Sequence, residues 1–345
     1  MAGGILFLLY DEGKINKLIR EEENERFISQ KEYEKKMQDV AEPFLKQRRE
    51  DFWLERETGR KIHCVYYRAD NARGIVIISH GFTETAEKYK ENIYYFLQQN
   101  YSVYIPEHCG HGRSYGLLKK NSPVYVDFWE RYVCDLLYAA FWAKKENRIC
   151  LFIFMVILWR WNSGPQRQGK AGTLSEVILS SPMIRPLTPG VPWRAAVCIA
   201  YIMCCLGKGK NYMPGQHDYE GEESFAQSGA LSEERFSYYQ KKKAAEPDYQ
   251  LGGASYGWLK EMAGLYHVLM RKAYRKMHMP VLVFQAEKDF YVSNKEQNRF
   301  VKRVHKNTDS LIHLILVPGT KHEIYHADDW TVQQYWDTVF RFLQS

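Results

Sequence analysis

From Asp51 onward the apolar positions fall into short runs separated by longer stretches of mixed periodicity. Residues 62–68 alternate apolar and polar as a half-buried strand does, and Gly74–Ser79 is a continuous apolar run of the kind covered on both faces of a sheet. A helix-prone stretch, 85–100, leads to a second short run, Tyr101–Pro106. A further helix over about 124–147 leads to the apolar run that begins at Ile149. Later come 176–180, 281–285 and 311–317, each short, apolar and β-branched. Strands alternating with helices predict a mostly parallel sheet with helices on both faces.

Two stretches depart from this rhythm. Residues 12–50 are charged, with Phe27, Tyr33, Met37, Phe44 and Leu45 near helical spacing, which predicts one or two surface helices packed on something larger. Between Pro182 and about Gly257, proline, glycine, tyrosine and charge are mixed around one apolar helix near residues 193–206. That stretch reads as an insertion over the sheet, which resumes at Pro280. The expected organisation is an N-terminal helical extension (1–50), a core made of 51–183 and 256–345, and an inserted segment (184–255).

Composition narrows the class. The 345 residues are 45% hydrophobic and 15% aromatic, enough for a large core and incompatible with wholesale disorder. The longest apolar stretches, 149–159 and 195–206, fall short of the roughly 18 residues a spanning helix needs. The first ten residues lack a basic segment ahead of an apolar one, so no signal peptide is expected. The formal charge of +7 is spread along the chain without a basic patch interleaved with aromatics. This argues against nucleic acid as a partner and leaves open a transient contact with an anionic membrane surface. The seven cysteines (64, 109, 134, 150, 198, 204 and 205) are odd in number and form no C-x-x-C, so neither a disulfide framework nor a zinc site is expected. A reducing cytoplasm suits them. No Gly-x-Gly-x-x-Gly follows a strand, so no dinucleotide or other cofactor is implied. The oligomeric state is not specified.

In a parallel sheet, ligands bind beyond the carboxyl ends of the strands, so three loops carry the candidate chemistry. The first is Ser79-His80-Gly81-Phe82. A glycine directly after a buried strand permits a tight turn that aims the Phe82 N–H at a developing oxyanion; an ordinary strand-to-loop turn is the alternative. The second ends in Asp289, an acid placed to orient an imidazole or simply to cap a helix. The third contains His322, a general acid or base near neutral pH, or a structural histidine. An acid after one strand and a histidine after the next follow the hydrolase order Ser, Asp, His, which is more specific than either residue alone.

With these loops the chain resembles α/β hydrolases of the lysophospholipase, monoacylglycerol lipase and serine aminopeptidase-like group. The matching pieces are Ser79-His-Gly-Phe82, Glu107-His-Cys-Gly-His-Gly-Arg-Ser114, Val177-Ile-Leu-Ser-Ser-Pro-Met183, Ala286-Glu-Lys-Asp289 and Gly319-Thr-Lys-His322-Glu, across about residues 50–345. Cys109 stands where the group usually has arginine. The resemblance implies an α/β-hydrolase fold with a helical cap after the sixth strand. It also implies ester hydrolysis through an acyl-enzyme that needs only water, Asp289 and His322 as acid and base, and Phe82 as one oxyanion donor. An acyl-ester or lipid, such as a lysophospholipid or monoacylglycerol, is the implied substrate. The apolar helix of the insertion either lines an acyl-chain pocket or packs on the sheet.

The group requires Gly-x-Ser-x-Gly on a sharp turn after the strand that begins near Ile149. The sequence from Leu151 to Pro165 has no such serine at the expected turn near Ile157, and Ser163 lacks a glycine two positions before it. Two other matches exist, Gly112-Arg-Ser114-Tyr-Gly116 and Gly253-Ala-Ser255-Tyr-Gly257, but neither directly follows a buried strand. Met155–Gly164 has a codon assignment in which a shifted frame reads Gly-His-Ser and, after one inserted base, Tyr-Gly-Gly-Gly-Ile-Ala. Residues 155 to about 174 therefore read either as a frameshifted nucleophile turn or as the mark of a non-catalytic relative that binds an apolar ligand. A third class, hydrolases with an aspartate nucleophile, is disfavoured because no aspartate lies in 149–175.

Overall fold

The computed structural model describes residues 26–119, 123–146, 152–156, 174–221 and 223–344. Eight strands form one sheet: β1 (Arg49–Glu57), β2 (Arg60–Tyr67), β3 (Gly74–Ser79), β4 (Tyr101–Pro106), β5 (Phe152–Val156), β6 (Leu174–Ser180), β7 (Val281–Ala286) and β8 (Ile312–Val317). Their spatial order is β1-β2-β4-β3-β5-β6-β7-β8. β1 and β2 form an antiparallel pair, β2 joins β4 antiparallel, and every pairing from β4 to β8 is parallel. This is the α/β-hydrolase arrangement that the resemblance implies. The described helices are α1 (Tyr33–Lys36), α2 (Glu42–Lys46), α3 (Lys90–Gln98), α4 (Glu130–Glu146), α5 (Trp193–Cys205), α6 (Glu233–Ala245), α7 (Tyr256–Arg271), α8 (Asn294–Asn307) and α9 (Asp329–Phe342).

The continuous apolar runs are explained by burial on both faces. In β3, Ile75 and Ile77 enter one core with Val133 and Leu136 of α4 and Leu265 and Leu269 of α7. Their neighbours Val76 and Ile78 enter the opposite core with Ile93 and Phe96 of α3 and Trp336 and Val339 of α9. β7 divides the same way, Val281 and Val283 against Leu282 and Phe284.

β1 is a strand that periodicity did not expose. Its sequence is mostly charged, and only Leu54 is buried. Antiparallel pairing with β2, continuous from Arg49 to Glu55 and shifted between Glu55 and Glu57, holds it, and the strand starts at Arg49, two residues before the expected core boundary. The N-terminal extension runs through α1, a wide π turn at Met37–Ala41 and α2, burying Tyr33, Met37, Ala41 and Leu45. The wide turn precedes Pro43, which has no N–H and crowds the preceding carbonyls of a regular helix.

Residues 181–280, between β6 and β7, carry α5, α6 and α7. α5 lies against α7, and its buried residues are Ala196 and Ala200. Val191, Ile199, Tyr201, Ile202 and Leu206 face outward. α6 lies against α1 of the N-terminal extension. None of the described helices is long and apolar enough to cross a membrane.

Candidate active site

β7 and β8 run side by side, so the loops that leave them emerge together at the carboxyl edge. Asp289 stands three residues past the end of β7. Its Oδ1 accepts the backbone N–H groups of Tyr291 (2.9 Å) and Val292 (3.0 Å), leaving Oδ2 to meet Nδ1 of His322 at 2.7 Å. The Asp289 side chain is 0% exposed and that of His322 is 15% exposed, so the carboxylate is sealed while an edge of the ring is open. Burial alone lowers the affinity of His322 for a proton. The hydrogen bond and charge of Asp289, with the charges of Glu323 and Glu84, outweigh it and raise the imidazole above its ordinary value. Among the described residues nothing hydrogen-bonds Nε2 of His322.

The segment between α5 and α6 fits against this pair. A Cβ on Gly229 would stand 3.1 Å from the Tyr291 ring and 3.2 Å from Cβ of His322. The Glu323 N–H donates to Gly229 O at 2.9 Å, and the Leu231 and Ser232 N–H groups donate to His326 O at 3.0 Å.

The oxyanion-type turn follows β3. Gly81 does not take the left-handed conformation; Thr83 does, with φ 57°. Glycine is needed at 81 because a Cβ there would lie 2.7 Å from Oε2 of Glu84, the carboxylate that accepts the Gly81 N–H at 2.7 Å. No described residue accepts the Phe82 N–H, and the Phe82 ring packs on Trp258 at 4.4 Å. Three imidazoles lie beneath the turn. His80 donates through Nδ1 to Gly81 O (2.8 Å) and accepts the His108 N–H at Nε2 (2.9 Å). His111 donates through Nδ1 to Cys109 O (3.2 Å) and accepts the Thr83 N–H (3.3 Å). His108 Nε2 meets Ser79 Oγ at 2.8 Å. Burial first, then the neighbouring imidazoles, push His108 well down and His111 down to about 3; His80 is lowered by burial. The cluster is a neutral scaffold. Periodicity gave no sign of it, because its members come from two separate loops.

The Gly110-His-Gly-Arg-Ser loop is structural in the same sense. Glu107 is buried, and its carboxylate binds His63 Nδ1 (2.8 Å) and the Arg113 N–H (2.8 Å). A Cβ on Gly112 would meet that carboxylate at 2.2 Å. Ser114 donates to Glu107 O (2.7 Å) and accepts the His63 N–H (2.8 Å). Ser255 caps α7, accepting the Trp258 N–H (3.0 Å) and donating to Val124 O (2.8 Å). Both serines of the two displaced Gly-x-Ser-x-Gly matches are thus committed to backbone groups, and neither is bonded to His322.

The end of β5 is the remaining part. Val156 is in register with Ser79 of β3 on one side and Leu179 of β6 on the other. The chain therefore leaves β5 beside the Phe82 turn, where the strand order reverses direction. The expected nucleophile turn near Ile157, and Ser163, lie outside the described residues.

A family model described as serine aminopeptidase, S33, matches residues 70–329. The chain is 23% identical over 277 residues to the probable lysophospholipase L2 of Haemophilus influenzae, covering 79% of this chain and 84% of that protein. It is 24% identical over 261 residues to lysophospholipase L2 of Escherichia coli K12, covering 72% and 76%. A soluble variant of monoglyceride lipase from Saccharomyces cerevisiae, solved with a substrate analogue, aligns with a TM-score of 0.61 at 17% identity over 86% of this chain and 96% of that one. A lipase in its open form aligns with a TM-score of 0.63 at 16% identity over 86% and 98%. At these identities the structural likeness carries the fold.

Proposed function

The chain belongs to the serine aminopeptidase S33 family, and on that premise we propose a site arranged for carboxylic-ester hydrolysis through an acyl-enzyme. Lysophospholipids or monoacylglycerol-like lipids are the substrate class. The observation that carries this reading is the Asp289–His322 pair, with a sealed acid, a 2.7 Å hydrogen bond and Nε2 unpartnered among the described residues.

In the proposed roles, Nε2 of His322 takes the proton of an attacking hydroxyl and returns it to the leaving alcohol. Asp289 holds the ring and stabilises the imidazolium. The Phe82 N–H and the N–H following the nucleophile stabilise the oxyanion. Residues 184–255 act as a cap over these loops. The outward apolar residues of α5, with Arg194, Lys208 and Lys210 beside them, suit transient contact with an anionic lipid surface.

No Gly-x-Ser-x-Gly stands in the sequence directly after β5, between Leu151 and Pro165. Loss of the nucleophile removes nearly all of the rate enhancement in serine hydrolases, so this chain is weak or inactive as an esterase. Sequencing the gene across codons 148–176, together with p-nitrophenyl ester assays, tests this. Turnover at background with an unbroken reading frame supports a protein that binds an apolar ligand without hydrolysing it, which calorimetry with a fatty acid or monoglyceride then measures. Rapid turnover abolished by His322→Ala would refute the inactivity. A restored Gly-x-Ser-x-Gly in the DNA identifies a working serine hydrolase.

A further inference from the structure

One side chain joins the two loops that this reading sets around the reacting centre. Nζ of Lys88 lies 2.7 Å from Oε1 of Glu84 and 2.7 Å from Oε1 of Glu323. The Glu84 carboxylate holds the Gly81 N–H at 2.7 Å, on the residue before Phe82, and also accepts Tyr89 OH. The Glu323 carboxylate belongs to the residue after His322, and its second oxygen meets Nδ1 of His326 at 3.0 Å. The three side chains are about nine-tenths enclosed, with 9% exposure at Lys88, 10% at Glu84 and 12% at Glu323. The one direct bond between a carboxylate of this pair and the other loop is a long one, from Tyr325 OH to Oε1 of Glu84 at 3.4 Å. The short, charged path from the Phe82 turn to the His322 turn runs through the ammonium.

We propose that Lys88 is a positioning residue that couples the oxyanion turn to the acid–base turn, fixing the Phe82 N–H and His322 in one frame through Glu84 and Glu323. Such a coupling matters because an oxyanion donor and a general base must be held together within about half an ångström of their productive geometry. Burial disfavours every charge in this triad, yet the mutual attraction keeps both carboxyls below their ordinary range and Lys88 above its own. Without the ammonium, two enclosed carboxylates would face each other with nothing between them. The inference rests on the assignment of Phe82 and His322 to the reacting centre. Its readout needs no turnover, so its failure would leave that assignment standing.

The test is a double-mutant cycle read by NMR on the full chain. Glu323→Gln, made on the His322 loop, is expected to move the Phe82 amide resonance on the other loop. In a Lys88→Met background the same Glu323→Gln change should leave the Phe82 amide in place, and in a Lys88→Arg background the response should return. A Phe82 response to Glu323→Gln that is equal with and without Lys88 overturns the proposal. So does the absence of any response in the otherwise unaltered chain, a comparison that decides the matter even if Lys88→Met does not fold.

Discussion

Replacing Arg235 by methionine tests how firmly α6 is tied to the body of the molecule. The Arg235 side chain is 0% exposed and that of Glu91, its partner on α3, is 1% exposed. Nε lies 3.2 and 3.3 Å from the two Glu91 oxygens, and Nη1 lies 3.1 Å from both Ala327 O and Asp329 Oδ1. Nη2 lies 2.6 Å from Ile28 O. One side chain of α6 thus holds α3, the start of α9 and the N-terminal segment. Methionine is unbranched and apolar but shorter, and it satisfies none of these acceptors. Breaking a buried ion pair by removing one partner costs about 3–5 kcal/mol. Glu91 keeps the hydroxyls of Tyr33 (3.0 Å) and Tyr95 (2.7 Å), so its charge is not left bare. The expected loss is therefore at the lower end, about 3 kcal/mol. With an unfolding entropy of about 2.1 cal/mol/K per residue, 345 residues translate that into a fall in Tm of roughly 4 °C. Urea unfolding should show a lower midpoint with an unchanged slope. Combining Arg235→Met with Glu91→Leu should cost less than the sum of the single changes. A loss under about 1 kcal/mol, or strict additivity, would show that the enclosed network is not what fastens α6.

Three further outcomes are expected. Asp289→Asn should lower the pKa of His322, read from its ring resonances, because burial is then opposed by less. In the unaltered chain a raised imidazole contributes stability that is fully present below its unfolded value, about 6.5, and is lost as pH rises through the folded value. The stability gap to the variant should therefore narrow across that window, and a constant gap would refute the linkage. Ser255→Ala should cost about 1 kcal/mol as a lost helix cap and, like Ser114→Ala, leave any labelling by fluorophosphonates unchanged; loss of labelling would make that serine a nucleophile. Gly112→Ala should cost roughly 1–3 kcal/mol from its left-handed backbone alone, with φ 53° and a Cβ driven against Glu107; thermal melts that superpose on the parent would contradict the close approach.

Local pattern was enough for the strands that have two buried faces. In β3, β4 and β7 each residue is enclosed, so a mostly apolar run fits, with the polar members Ser79, Ser102 and Gln285 hydrogen-bonded. Asp289 and His322 stood out for a related reason: each follows a strand of the sheet, β7 or β8, within a few residues, and parallel strands deliver their carboxyl ends to one edge. β1 was hidden because its side chains are mostly solvated and its place depends on the ladder with β2. The outward face of α5 was hidden too, because an apolar helix reads the same whether it packs on a sheet or turns its large residues to solvent.

The sequence by itself determined the alternation of strands and helices and the resemblance to the family, the position of Asp289 and His322 after two successive apolar runs, and the absence of a Gly-x-Ser-x-Gly between Leu151 and Pro165. Those are properties of neighbours along the chain. Only the tertiary structure decided that Ser114 and Ser255 serve the backbone, that three histidines form a neutral scaffold under the Phe82 turn, and that Lys88 spans 235 residues to reach Glu323. Each depends on groups distant in sequence that become close only when the sheet has formed. Enclosure favours the pairing of such groups, because an unpaired buried polar group is costly.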